Sequence, residues 1–575
     1  MSTKYLQHAT SALAICSLLT GLSWLIWTIA LWYRLHLHIP WRDQYLILDL
    51  VVPILERGLQ WKDVLAFLQP HYLSHRIALS RLLETADLVV GGGRNHIVYA
   101  SAWLSMATIV AGFWYYWQSA FRDNWRLLAM FAGVLGCFLF GPSQVWNLID
   151  PINASWALSF ALTLLAFSWL LHRSGEVRWR DWLLVYTLTS LAAFSTFTGV
   201  IAWLLIPVAA WQCSYRSLAI SAVVSCLLAF LYCRGLEIDA TVAMQIADEF
   251  KSDNLRQAAT DALASRTPLG ILWRAALVLS WPLSGESPKV AGAIALLGSF
   301  TFLPTAARWL TSAGKGSAKF ETWPVLAMLL AATCIGVALA SRLGRIMQYP
   351  NTLYGPSDER YQTIVAVYWV CVMGIVLYTV STCRPALQLC IVLAVILLTE
   401  LLIRPAGNYL EQEIKSIELA KALFVRGARQ EPDIVSQDWK NHFIPEYIFS
   451  FNEFFKQRSL AYFYRPNAPV RDESKPACAE LHWYYSIETG RDNKPDSLHL
   501  RIPLPRFWIT NEVWIRDREA EYTQLIPVHS GDYSPAALMR PSANLWTGIL
   551  PDSTQPLELL AGGPAGITSM CTLQK

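Results

Sequence analysis

The feature that most constrains this chain is a recurring uncharged apolar run long enough to cross a bilayer. Residues 10–32 form the first, with no charged side chain among them. At about 1.5 Å of helical rise per residue such a run covers a hydrocarbon core of roughly 30 Å. A secretory signal would carry a shorter apolar core and a small-residue cleavage site. Here the run ends in Trp32, Tyr33 and Arg34, an interfacial anchor, so it reads as the first transmembrane helix. Further spans are expected at 97–117, 125–140, 155–171, 217–232, 290–309, 323–340, 362–381 and 385–403. Residues 182–215 hold no charge either, which fits two short passes bending near 196–199 or one long tilted helix. Counting two passes gives about eleven spans. Residues 269–283 read as an interfacial helix, because Arg274 argues against a full crossing.

Composition agrees: 15% of the residues are charged, where a soluble chain carries roughly a quarter. The net charge of +4 is scattered, with no basic run, which argues against a nucleic-acid partner. Short loops carrying Arg122, Arg126, Arg173, Arg178, Arg180, Arg216, Arg308, Lys315, Lys319 and Arg384 mark the cytoplasmic side by the positive-inside rule. The N-terminus is then inside. The loops at 34–95, 234–289 and 342–361 face outward with the C-terminal region. One pass at 182–215 instead of two would flip everything after it.

From residue 405 the character changes. Helical spacing runs to about 462, and after the Pro-rich stretch at 465–475 come segments that alternate like strands. The fold class is therefore an α-helical polytopic membrane protein, residues 1–404, with a small β-rich extracytoplasmic domain at 405–575. Nine of the eleven cysteines lie in or beside apolar segments, as small core hydrophobes do. Cys478 and Cys571 stand apart in the polar region. A disulfide between them fits an oxidising compartment, and two free thiols fit the sequence equally well.

Chemistry concentrates between His38 and Arg81. Ionisable groups beside a span are costly unless they pair or act, so a dense set there is a site hypothesis. Asp43, in Trp41-Arg42-Asp43-Gln44-Tyr45, could take a proton from a hydroxyl; equally it could be a solvated acid paired with Arg42 or Arg76. Asp49 reads as a supporting or structural acid. His71 and His75 are four apart, the spacing of one helix face, but the stretch lacks the glutamate of the HExxH zinc motif. They read as hydrogen-bonding groups for a phosphate or sugar, or as plain interfacial histidines. Arg76 and Arg81, with Arg342, Arg345 and Arg360 from the later outer loop, offer guanidinium forks that match phosphate oxygens or anchor lipid headgroups. Asp150, before Pro151, reads first as a turn acid. No GxGxxG after a strand, Walker A, GxSxG or CxxC sequence occurs.

The acid in the first outer loop, about a dozen spans and an external C-terminal region resemble the GT-C superfamily of membrane glycosyltransferases. WRDQY at 41–45, PHYLSHRIALSR at 70–81 and DERYQ at 358–362 carry the closer likeness, to bacterial multispanning members. The resemblance implies a sugar transferase of the bacterial cytoplasmic membrane, acting at its outer face with a polyprenyl-phosphate-linked donor on an envelope glycan or glycolipid acceptor. It implies Asp43 as general base, with Arg76, Arg81 and Arg345 or Arg360 stabilising the departing lipid phosphate. Asp49, His71 and His75 complete the expected substrate-binding set. Many members carry paired acids at the motif, whereas Gln44 follows Asp43 here. Arginine is therefore expected in place of a divalent ion, which stays open as the less favoured alternative, and no other cofactor is expected. Two other classes compete: a flippase of lipid-linked saccharide, which would prefer mid-membrane charges and broken repeats, and a non-catalytic envelope-assembly subunit using the C-terminal region as its binding face.

Overall fold

The computed structural model describes residues 3–35, 44–71, 75–144, 147–148, 150, 153–173, 177–211, 213–234, 268–280, 287–312, 322–348, 361–381, 383–403, Arg458 and seven short strand segments between 484 and 573. Helices dominate. In chain order they are α1 (Thr3–Leu35), α2 (Gln44–Arg57), α3 (Asp63–Phe67), α4 (Ala78–Val89), α5 (His96–Ala120), α6 (Trp125–Phe140), α7 (Ala154–Leu171), α8 (Trp179–Ala193), α9 (Thr198–Ala210), α10 (Tyr215–Cys233), α11 (Pro268–Leu279), α12 (Pro288–Phe300), α13 (Leu303–Ser312), α14 (Thr322–Gln348), α15 (Gln362–Val380) and α16 (Pro385–Ile403).

Among the described residues nine helical stretches are long and apolar enough to cross a membrane: Tyr5–Trp32, His96–Ala120, Trp125–Gln144, Ala154–Leu171, Tyr215–Cys233, Pro288–Trp309, Thr322–Ser341, Gln362–Val380 and Ala386–Ile403. The chain is a multi-pass helical protein. The uncharged run at 182–215 divides into α8 and α9, interrupted at 194–197. With 15 and 13 residues, each is about 20 Å long and short of a full core. That accounts for the difference from eleven.

α11 is likewise too short to cross. It packs against α12 and α14, its Ala275, Ala276, Val278 and Leu279 are buried, and Leu279 O accepts a hydrogen bond from Trp369 Nε1 at 2.7 Å. α14 runs on through Gln348, so Arg342 and Arg345 lie on its last turns rather than in a loop. This corrects the expected loop boundary at 341–342.

By its contacts the chain separates into two units. Met1–Thr28, Gln60–Leu82 and Tyr99–Gly407 form one. Its core is a packed set of aromatic rings: Trp117 stacks on Phe131 at 4.1 Å, and Trp323 stands edge-on to both at 5.4 Å. α15 is the most enclosed of these nine spans, with 83% of its apolar stretch buried against 22% for α1. α1 meets α6 through small residues: a Cβ on Gly21 would come within 2.7 Å of the Gly133 carbonyl, and Ser17 Oγ donates to Met130 O at 3.3 Å. Close backbone approach through small residues is how membrane helices associate when burial supplies little driving force between them.

The second unit comprises Ile29–Leu59, Leu83–Val98 and Asn408–Lys575. Its described parts include α2, the second half of α4, and the strand segments β3 (Tyr484–Glu488), β4 (Ser497–Leu504), β5 (Glu512–Arg516), β6 (Tyr522–Val528), β7 (Asn544–Pro551), β8 (Leu557–Gly563) and β9 (Gly566–Leu573). Their backbone pairings are antiparallel in the order β3-β4-β7-β6-β5-β8-β9.

Candidate functional site

Three polar constellations stand out from the apolar bundle. The first is a lip made of residues 60–82. Gln60 N donates to Asp63 Oδ2 at 2.7 Å, closing the turn that opens α3. The five-residue α3 leaves its last carbonyls without helical partners, the usual condition of a helix end. After it the chain forms a two-residue hairpin, β1 (Pro70–His71) with β2 (His75–Arg76), in which His71 and His75 are register partners. The single helix expected for these histidines is not what forms; their backbones pair across an antiparallel ladder. Pro70 explains part of this, because the residue before a proline is steered out of the helical region.

The two arginines of the lip do one job on the orphaned carbonyls. Arg81, 5% exposed, sends Nη1 to Phe67 O at 2.9 Å and Gln69 O at 2.7 Å, and reaches Ala66 O at 3.4 Å. Burial pushes its pKa down to about 10, so it keeps its proton at neutral pH. Arg76 Nη1 takes Leu68 O. Its Nε takes Tyr232 O at 3.1 Å and its Nη2 Arg234 O at 2.7 Å. Cations at a helix C-terminus also oppose the partial negative charge of its dipole.

Three of the five N–H groups of the Arg76 guanidinium are thus used on backbone, which fastens the lip to the end of α10. Arg76 N also donates to the Tyr232 hydroxyl at 2.9 Å, and Leu79 N to Phe194 O, in the α8–α9 interruption, at 2.9 Å. Tyr232 packs with Phe194, Phe197 and Trp203 at ring distances near 6 Å. Opposite its buried Phe67, α3 exposes Val64 and Leu65, and Trp61 just before it is 80% exposed.

The second constellation lies in the other unit. Gln44, the first residue of α2, is almost fully buried. Its Nε2 donates to Glu84 Oε1 at 2.6 Å and to Asn95 Oδ1 at 2.9 Å. One turn beyond Glu84 on α4, the carboxylate of Asp87 accepts Asn95 N at 2.7 Å and Ile97 N at 2.8 Å, capping the start of α5. Burial raises the Asp87 pKa above its usual value, and the backbone N–H groups and His96 pull against that rise. The turn between depends on glycine. Gly92 has φ +69°, and a Cβ on Gly91 would collide with the Asp87 carboxylate.

The third constellation is neutral. Gln144, after α6, donates through Nε2 to Gln362 O at 2.6 Å; Asn147 Nδ2 reaches Thr363 Oγ1 at 3.0 Å and Gln144 Oε1 at 3.3 Å. Gln362 and Thr363 open α15, and neighbouring Tyr361 meets Trp156 edge-on at 5.3 Å. Asn147 Oδ1 and Gln362 Oε1 are buried without a hydrogen-bond partner.

Of the residues singled out by sequence, Asp43, Arg360 and Cys478 lie outside the described residues. Asp49 is placed within α2, Arg345 on the last turn of α14, and Cys571 in β9, each by its backbone. The backbones of His71 and His75 pair in the lip, where the Arg76 and Arg81 side chains bond the carbonyls of Leu68, Phe67 and Gln69. Asp150 is buried, and its carbonyl accepts a hydrogen bond from Asn153 N at 3.1 Å, as a turn acid's would. Gln44, Glu84, Asp87 and Asn95 were not singled out. Their signal was present in the Gly91-Gly92-Gly93 turn, followed by Asn95 at a helix start and preceded by an acid able to cap it. Among the described residues no group of three or more His, Cys, Asp or Glu side chains is placed to hold a metal ion. Compared with known proteins, the chain matches no family model, no curated protein and no solved structure.

Proposed function

We propose that the protein is a membrane glycosyltransferase of the GT-C kind, moving a sugar from a polyprenyl-phosphate donor to an envelope glycan or glycolipid. In this reading it works at the outer face of a bacterial cytoplasmic membrane, with residues 405–575 as a β-rich external domain. The observation that carries the reading is the fixing of Gln44. Two buried hydrogen bonds, to Glu84 and Asn95, hold the first residue of α2 directly after Asp43. A general base needs a backbone that does not wander, since small misplacements cost catalysis heavily. Asp43 takes the proton of the acceptor hydroxyl. Arg345 and Arg360 meet the departing phosphate, Asp49, His71 and His75 contact the donor or acceptor, and Arg76 and Arg81 hold the lip in shape. The exposed Trp61, Val64 and Leu65 suit a lip that lies in the lipid headgroups, where a polyprenyl donor arrives.

The test is transfer from radiolabelled polyprenyl-phosphate hexoses by the purified protein in nanodiscs. Asp43→Asn is expected to lower turnover by about 10²- to 10⁴-fold with unchanged melting. Full turnover in that variant would remove Asp43 from the chemistry. A second reading, transport of a lipid-linked saccharide without chemistry, draws support from the interruption between α8 and α9 at 194–197, since broken helices line transporter sites. Proteoliposomes that translocate the same lipid equally well with Asp43→Asn, and never release the prenyl phosphate, would favour it.

A further inference from the structure

The ends of four spans meet around a cavity of about 90 Å³ at the end of the bundle where α1 begins. It lies between the first two turns of α1, the start of α6, the last residue of α15 and the first turns of α16, the level at which spans pass into headgroups. Its lining is divided in character. Leu6, Leu127, Val380 and Val392 supply an aliphatic wall, and Gln7, Thr10, Asn124, Arg126 and Gln388 a polar one. Most of the polar wall is already engaged with nearby backbone. Thr10 Oγ1 donates to Leu6 O at 2.8 Å, the Asn124 side chain accepts Leu127 N at 3.3 Å, and Gln388 Nε2 donates to Val380 O at 3.1 Å.

Arg126 differs. Its Nε is buried without a hydrogen-bond partner, and its guanidinium stands 5.9 Å from the Trp125 ring. No acidic side chain lines the cavity. A guanidinium whose Nε–H has no partner, on a cavity that no carboxylate lines, calls for an oxyanion. The first turn of α6 adds the positive end of a helix dipole at the same place. The aliphatic wall then selects among anions, because a free phosphate gains nothing from it and an amphiphile does.

We propose that this cavity binds the headgroup of an anionic membrane phospholipid, with its phosphodiester on Arg126 and its glycerol and first acyl carbons on Leu6, Leu127, Val380 and Val392. Basic recesses between helix ends bind such headgroups in other membrane proteins. The site lies at the opposite ends of α1 and α6 from the loops discussed above, and it does not rest on the transferase reading.

The experiment measures melting temperature and native mass spectra of the detergent-purified protein with phosphatidylglycerol, phosphatidylcholine, inorganic phosphate or glycerol 3-phosphate. Phosphatidylglycerol is expected to raise the melting temperature and to survive as a bound adduct. Arg126→Gln should weaken that response at least fivefold, and Arg122→Gln, at an exposed neighbouring arginine, should leave it intact. Four results would overturn the proposal: an undiminished response in Arg126→Gln, equal loss in Arg122→Gln, equal shifts from phosphatidylcholine, or full reproduction by glycerol 3-phosphate or phosphate, which would make it a free-anion site. Should Arg126→Gln fail to fold, Arg126→Lys is read in its place. It keeps the charge but has no Nε–H, and an undiminished response there also sinks the idea.

Discussion

α15 and the lip at 60–82 solve the same problem in opposite ways. Sixteen of the nineteen residues of α15 are buried, yet it carries no charge, because a continuous helix satisfies its own backbone. The lip has one five-residue helix and a two-residue hairpin, so many of its carbonyls need outside donors. Arg76 and Arg81 supply them. An arginine near a membrane face can therefore serve backbone accounting as well as ligand binding, and its hydrogen bonds, not its position in the chain, tell which.

The difference can be broken at several points. Trp369→Ala in α15 removes one of the largest fully buried side chains and orphans Leu279 O. It should cost about 3–5 kcal/mol, read as a fall in global melting temperature, and an unchanged melting curve would show that α15 is not the hub. Arg81→Leu leaves the carbonyls of Phe67 and Gln69 without their donor, at about 3 kcal/mol. That loss should be local: faster hydrogen exchange and proteolysis across 60–82, with the bundle's own transition little moved. If exchange in the lip is unchanged, the arginine is not its clasp.

Asp87 sharpens the contrast by pH. Burial raises its folded-state pKa above the unfolded value of 3.8, so the folded state holds the proton more tightly. Its contribution is most favourable at and below the ordinary carboxylate range and is lost as pH rises through the raised value. Asp87→Asn should flatten that slope in a melting series, while lowering stability at every pH because an amide caps Asn95 and Ile97 less well. An unaltered slope would assign the pH dependence elsewhere. The smallest effect is expected from Gly92→Ala. Nothing lies within 4 Å of the added Cβ, so the cost is that of the left-handed backbone alone, about 1 kcal/mol.

Long uncharged runs made the spans legible, because lipid demands them and little else produces them. For 182–215 the sequence allowed a bend near 196–199 or one long tilted helix, and the break between α8 and α9 decides for the bend. The lip was not. His71 and His75 four apart look helical on paper, but Pro70 and the carbonyls awaiting Arg76 and Arg81 favour a hairpin. Such a clasp reaches from Arg76 to Tyr232, 156 positions away, and no local pattern encodes that. The amide group at Gln144, Asn147 and Gln362 was hidden for the same reason: neutral side chains 218 positions apart leave no charge signature. Gln44 seemed only a departure from paired acids, and its buried partners Glu84 and Asn95 turn it into an anchor.

The clasp between Arg76 and the end of α10 also sets a timetable. At synthesis rates of about 5–20 residues per second, Tyr232 leaves the ribosome roughly 8–30 s after Arg76. During that interval five apolar stretches can enter the bilayer, while the Arg76 backbone N–H, Nε and Nη2 wait for the partners that Tyr232 and Arg234 bring. The lip is thus a late piece of the assembly, completed only when a helix made much later returns to lock it.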